Sequence, residues 1–185
     1  MYALVMHNFA FQPRSLEPSR SSRTHLSATH AVRSALPSDA GEIHQLVSAH
    51  TEAGLLLPRS SEDIAAAIEG YVVVIDQHER VMGCAALLEY SPSLAEVGSV
   101  AVAREAQGCG LGSLVVRGVE GMARRRGIDE LFAVTRADRF FASLGYAPCA
   151  IGRYPEKLAH YDRLARLGIP IVPKSCYRKL ASWME

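Results

Sequence analysis

Three glycines in five residues, Gly108, Gly110 and Gly112, follow an apolar stretch ending at Val102 and precede a helical run that begins at Leu111. Glycine lets a backbone approach a ligand closely and turn its amides toward one point. A helix behind such a loop adds unpaired N–H groups and the positive end of its dipole. This is the chemistry of phosphate binding. The loop is not GxxxxGK[ST], because no lysine follows its last glycine. Nor is it GxGxxG, because Val115 stands where the third glycine would fall. A second residue of chemical interest is Glu96, the lone charge in the apolar stretch Leu94 to Val102. A carboxylate held there would be partly desolvated and its pKa raised, which suits it to take a proton near neutral pH. An exposed strand-edge glutamate is the alternative.

The elements that must position these residues are readable from period and punctuation. Ala31 to Ser34 alternates as a short strand, and Pro37-Ser38-Asp39 supplies a helix start with Glu42 placed to reach back as in a capping box. Ile43, Leu46, Val47 and His50 form one apolar face before Gly54, and Ser60 to Asp63 opens a second short helix with Ile64 and Ile68 inward. Tyr71 to Asp76, Val81 to Tyr90 and Leu94 to Val102 read as three strands joined by short turns, an antiparallel meander. Beyond the glycine loop come a long helix to Arg126, a strand from Glu130 to Thr135, a helix from Arg136 to Leu144 and a strand near Ala147. The tail gives a helix from Pro155 to Gly168 with Leu158, Tyr161, Leu164 and Leu167 as its apolar face, then a short segment, Cys176 to Leu180. Strands on both sides of a strand–loop–helix–strand unit predict a mixed sheet with helices packed on it.

At 185 residues the chain is about one domain, with 49% apolar and 21% charged residues, so it can bury a real core. A net charge of +1 gives no reason to expect nucleic acid or a membrane surface as partner. Cys84, Cys109, Cys149 and Cys176 form no CxxC pair, and no HxxxH or HExxH occurs, so no metal is expected and the thiols read as free in a reducing compartment. Residues 1 to 28 carry Arg14, Arg20 and Arg23 against Glu17 in a Ser-rich setting. They fit a disordered leader or an over-long start first and an organelle transit peptide second. From 155 to 185 there are six Lys or Arg against three acids, a surplus that reads as a solvated face or a partner surface.

The segment Gln107-x-x-Gly110-x-Gly112 resembles the acetyl-coenzyme A signature of the GNAT N-acetyltransferases, Q/R-x-x-G-x-G/A. Its setting is similar too: a strand before it, a long helix after it, then Leu131 to Val134 and Phe140 to Tyr146. The likeness covers about residues 30 to 150. A narrower resemblance, to the acetyltransferase domain of N-acetylglutamate synthases, is carried by Gly54 to Ser60, Gly83 to Leu87, Ala95 to Val102, Val134 to Arg136, Leu158 to Arg163 and Lys174 to Leu180. The resemblance implies an α/β (α+β) fold, a GNAT-like mixed, mostly antiparallel central sheet flanked by helices, with 29–185 as the acetyltransferase domain. The chain is too short for the amino-acid-kinase-like domain of the long synthases. It resembles their short stand-alone form, and feedback by arginine through that domain is not expected.

The activity this implies is transfer of the acetyl group of acetyl-CoA directly to the α-amine of L-glutamate, the first step of arginine biosynthesis, in the cytoplasm. Glu96 matches the family's base. Val100, Ala101 and Val102 would hold the acetyl carbonyl and pantetheine arm, and the amides of Gln107, Gly108, Cys109, Gly110, Leu111, Gly112 and Ser113 would cradle the pyrophosphate. The tyrosine that often protonates the leaving thiolate in this superfamily reads Phe141 here, which leaves Thr135 or solvent as the acid. Glutamate has two carboxylates, for which arginine is the preferred partner. Arg59 is the first candidate, because it follows Leu55-Leu56-Leu57-Pro58 in a loop that should pack inward. Lys174, Ser175 and Arg178 are the second candidates. Another amino acid, a small amine or a protein terminus stays open as acceptor, as do a non-catalytic acetyl-CoA sensor and a homodimer.

Overall fold

The computed structural model describes residues 30–180, and the expectations for residues 1–28 lie outside them. Seven strands form one sheet: β1 (Ala31–Ser34), β2 (Tyr71–Ile75), β3 (Val81–Ser91), β4 (Leu94–Val102), β5 (Glu130–Thr135), β6 (Ala147–Cys149) and β7 (Ser175–Leu180). Their order across the sheet is β1-β2-β3-β4-β5-β7-β6. Every neighbouring pair is antiparallel except β4 and β5, which run parallel. The expected mixed, mostly antiparallel sheet is present. The expected segment at Cys176 to Leu180 is a sheet strand lying between β5 and β6, a placement that sequence order alone does not give.

Helices cover both faces. Strand β2, one in from the edge, is buried throughout, and its side chains alternate between two layers. Val72 and Val74 pack with Val115, Val116, Val119 and Met122 of α3 (Leu111–Arg125). Tyr71, Val73 and Ile75 pack with Ile43 and Val47 of α1 (Ala40–Glu52) and Ile64 of α2 (Ser61–Ala66). The expected apolar faces of the first two helices therefore meet the sheet. The capping expectation for α1 needs correction. Asp39 makes the backward reach, accepting from the Leu36 N–H at 2.7 Å while its carboxylate pairs with Arg33 at 2.6 Å. Glu42 instead accepts from the Val81 N–H at 2.8 Å and ties α1 to the start of β3.

The helix expected from Arg136 to Leu144 is shorter, α4 (Asp138–Ser143), because the Thr135 hydroxyl accepts from the Ala137 N–H at 2.9 Å and sets a turn first. The tail helix α5 (Pro155–Arg166) turns its inward face one residue away from the expected one. Leu158 and Leu167 are exposed, while Tyr154 and Lys157 are buried and Tyr161 is half-buried. Tyr154 anchors the start of α5 by stacking on Phe132 of β5, ring centroids 3.9 Å apart.

Two features open the sheet at its centre. β4 and β5 pair only over Leu94–Glu96 and Glu130–Phe132 and then part. On its other side β4 carries a bulge. Ala86 opposes Gly98 and Cys84 opposes Ala101, so two residues of β4 face one of β3. Ser99 sits within it at φ 50°, in the left-handed region that a serine adopts only at a cost. The strand bends, and a wedge opens between β4 and β5.

Candidate active site

The wedge leads into a cavity of about 470 Å³. One side of it is made of backbone. Beyond Glu96, β4 is bonded to β3 but presents an unpaired edge toward β5, an open ladder that an extended amide-bearing arm can join. Val100 and Val102 line the cavity, while the side chain of Ala101 between them is buried in the opposite layer, as strand alternation requires. Ala101 can therefore contribute only its backbone.

At the end of β4, Gln107 and Gly112 also line the cavity. Gly108 and Gly110 have φ of 80° and 84°, in the region glycine enters without cost, and Gly110 is the N-cap of α3. The first internal hydrogen bonds of α3 run from the Ser113 and Leu114 amides to the Gly110 carbonyl, so the amides before them precede the helix ladder. No acid occupies the first turn, and Arg124 and Arg125 stand in the last. The positive end of the dipole is thus left uncompensated at the loop, where a pyrophosphate is stabilised. Leu111 is buried in the core, and Cys109 and Ser113 belong to the loop and first turn without lining the cavity. These residues fit a nucleotide-tailed thioester by its backbone needs: amides for phosphates and an open strand edge for an amide arm.

The other side is made of side chains. Glu96 is 4% exposed at the point where β4 and β5 part. The sequence places this carboxylate alone among apolar residues. The structure gives it two partners. The Lys157 ammonium lies 2.8 Å from its carboxylate, and the Tyr90 hydroxyl donates to Oε2 at 2.9 Å. Lys157, itself 4% exposed, reaches in from α5 and sits over the Tyr161 ring, 4.8 Å from its centroid. Burial and then the Glu96 charge push the Tyr90 and Tyr161 phenols above their ordinary range, so both stay protonated.

Arg59 lines the cavity, half-buried, and pairs with no carboxylate among the described residues. It also lines an adjoining cavity of about 390 Å³ with Glu156, His160 and Arg163 of α5. Thr135 lines the main cavity, and Phe141 and Val134 beside it offer no hydroxyl. Because the Thr135 oxygen already accepts from Ala137, its O–H is left to donate elsewhere.

Lys174 is half-buried, and burial followed by the charge of Lys157 pulls its pKa below the ordinary lysine value. Lys174 does not line the cavity. Neither do Ser175 and Arg178. The register of β7 sets them opposite Thr135 and Phe132, where Ser175 donates to Asp138 at 3.1 Å and Arg178 lies 3.8 Å from Glu130. The tail surplus is largely used inside the fold as well: Lys157 meets Glu96 and Lys179 meets Glu120. Lys157, Tyr161 and Arg136 line the cavity, and Tyr90 bonds Glu96 beside it, without being candidates of the sequence reading. The signal was a lysine at one helical spacing from Tyr154 and Tyr161, which is legible only if a charge is allowed on an inward face.

Residues 41–146 match the model of the acetyltransferase (GNAT) family. An uncharacterized N-acetyltransferase of Chlorobaculum tepidum is 33% identical over 131 residues, covering 71% of this chain and 84% of that protein. The amino-acid acetyltransferase of Pseudomonas putida is 33% identical over 141 residues, 74% of this chain, and the chain spans only 32% of that relative's length. The N-acetylglutamate synthase of Neisseria gonorrhoeae, solved with coenzyme A and N-acetyl-glutamate, superposes with a TM-score of 0.73 at 26% identity, covering 83% of this chain and 35% of that one.

Proposed function

This chain belongs to the GNAT acetyltransferase family, and from that premise we propose that it moves the acetyl group of acetyl-CoA to the α-amine of L-glutamate. One observation carries the choice of acceptor. Among the described charged residues lining the cavity, Glu96 is the only carboxylate against Arg59, Arg136 and Lys157, and it already pairs with Lys157. The remaining cations favour an anionic acceptor and disfavour a polyamine or a basic side chain. An α-amino acid with a second carboxylate meets that field with two anions, one for Arg59 and one for Arg136, with Lys174 adding its charge from outside the lining. The names of the relatives point the same way.

In this reading the loop from Gln107 to Ser113 holds the pyrophosphate, and the β4 edge at Val100 to Val102 holds the pantetheine arm and polarises the thioester carbonyl. Glu96 takes the proton that the acceptor ammonium must lose, directly or through one water, and the amine nitrogen forms its bond to the carbonyl carbon as the sulfur leaves. Thr135 is the hydroxyl positioned to return a proton to the thiolate. The whole described domain takes part, since α5 and the segment before β7 supply the acceptor side.

Purified protein incubated with acetyl-CoA and L-glutamate should release free CoA and N-acetyl-L-glutamate in equal amounts, read by thiol assay and mass spectrometry. Glutarate, which lacks the amine, should give neither. Glu96→Gln should lower turnover about 100-fold, the size of a lost general base, with acetyl-CoA affinity nearly unchanged. Undiminished turnover in that variant would remove Glu96 from the mechanism.

A further inference from the structure

The one buried ion pair of the acceptor side joins two parts of the chain 61 residues apart in sequence, β4 and α5. The family match ends at residue 146, before α5 begins at Pro155. The partner of Glu96 therefore comes from outside the matched region.

We propose that Lys157 is a positioning residue for Glu96: its ammonium keeps the buried carboxylate ionised and aimed at the acceptor amine, so that α5 governs the proton-accepting state of the site. The proposal rests on the reading of Glu96 as the base. The physical argument begins with cost. Taking an ammonium and a carboxylate out of water carries a large desolvation penalty for each ion, and a buried pair rarely stabilises a fold more than apolar residues of the same size would. Lys157 and Glu96 are each only 4% exposed, so stability alone does not account for the pair. A base has a different need. A carboxylate this buried takes up a proton unless an opposite charge is beside it, and a protonated one cannot accept the acceptor's proton.

The geometry matches that need. Nζ lies 2.8 Å from Oε1 and 2.8 Å from Oε2, and the Tyr90 hydroxyl donates to Oε2 from the other strand. The carboxylate is fixed by donors from two separate elements, β3 and α5. The stack of Tyr154 on Phe132 and the Tyr161 ring under Nζ hold α5 and its lysine in place. The other titratable or charged groups around Glu96 are Tyr90 of β3, His160 and Tyr161 of α5, Cys176 of β7, His50 of α1, Arg59 of the α1–α2 loop, Arg136 after β5 and Lys174 ahead of β7. Both tyrosines, and Cys176 with its thiol pushed up to about 12, stay neutral through the working range. His160 is pulled down first by burial and then by Lys157, which leaves it neutral at neutral pH. Arg59, Arg136 and Lys174 remain as charges, but none is within ion-pair distance of Glu96.

The test is the pH profile of kcat/KM for the acceptor, measured with the full chain. Lys157→Met should move the acidic limb upward by about one pH unit or more, the ordinary effect of losing an adjacent opposite charge. At pH values below the limb activity should fall about ten-fold for each pH unit the limb moves and return as pH rises, with the KM for acetyl-CoA unchanged. Lys157→Arg should keep the limb near its original place. Lys157→Gln, which donates a hydrogen bond without a charge, should shift the limb as Met does, and it serves if the Met variant fails to fold. A limb that stays in place in a folded Met or Gln variant overturns the proposal. Glu96→Gln separates the two readings. If it erases the acidic limb while the uncharged Lys157 variants leave the limb unmoved, the base stands and Lys157 is structural. If the limb survives in Glu96→Gln, the base reading itself fails.

Discussion

The two sides of the cavity are built from different material. The side we assign to the acetyl donor is backbone: an unpaired strand edge beyond a bulge and a glycine loop at a helix N-terminus, contributed by one continuous stretch from β4 into α3. The side we assign to the acceptor is side chains: Arg59 from the α1–α2 loop, Arg136 after β5, and Lys157 and Tyr161 from α5, with Lys174 outside the lining. A donor common to many reactions is met by groups that every residue carries. An acceptor that must be selected is met by charges placed one at a time. Variants should therefore divide cleanly, with changes on one side altering one substrate and sparing the other.

The largest expected effect lies on the donor side. Gly110→Val forces a β-branched residue into the left-handed region at the N-cap of α3, in the loop assigned to the phosphates. Calorimetry should then detect no binding of acetyl-CoA, while circular dichroism still reports a folded chain. Binding that survives would break the comparison, because the loop would not be the cradle.

Next comes the acceptor side. Arg59→Ala should raise the KM for glutamate by about 10- to 150-fold, the loss of a desolvated charge-assisted pair, and leave the KM for acetyl-CoA within about two-fold. Lysine should rescue only in part, since an ammonium cannot make the paired fork contact. Equal rises in both KM values would show that the two sides are not separable.

The smallest effect sharpens the comparison through pH. Lys174 is held below the ordinary lysine value, first by burial and then by the Lys157 charge. Its cationic form is present below that lowered pKa and is lost as pH rises through it. The KM for glutamate should therefore climb with pH before the ordinary lysine value of about 10.4 is reached. Lys174→Ala should remove that climb and raise the KM at neutral pH by about 3- to 10-fold, the worth of one such contact. Acetyl-CoA kinetics should show neither change.

The same division explains what could be read from the sequence. The glycine loop, the strand before it and the helix after it were legible because backbone conformation needs particular residues at fixed spacing. Glu96 was legible as an oddity, one charge in an apolar strand, but its partners were not. Lys157 lies 61 residues away, and its helix shows an apolar repeat of Leu158, Tyr161, Leu164 and Leu167 that competes with the true inward face. A lysine on the inward side contradicts the rule for amphipathic helices unless a carboxylate waits for it, and no local pattern announces one. The insertion of β7 between β5 and β6 was hidden for a similar reason, since strand order is a matter of distant pairing. Ser175 and Arg178 were drawn in by the charge of their segment, and the register of β7 turned both toward other partners.

The central claim is that a cationic acceptor side selects an amino acid with a second carboxylate. A single competition measures this most directly: the purified chain, limiting acetyl-CoA, and the twenty amino acids at equal concentration, with the N-acetylated products resolved by mass. Product ratios report relative kcat/KM. The account predicts that N-acetylglutamate leads, that glutamine and aspartate follow, and that lysine and arginine yield almost nothing. A product mixture led by a basic or an apolar amino acid would contradict it.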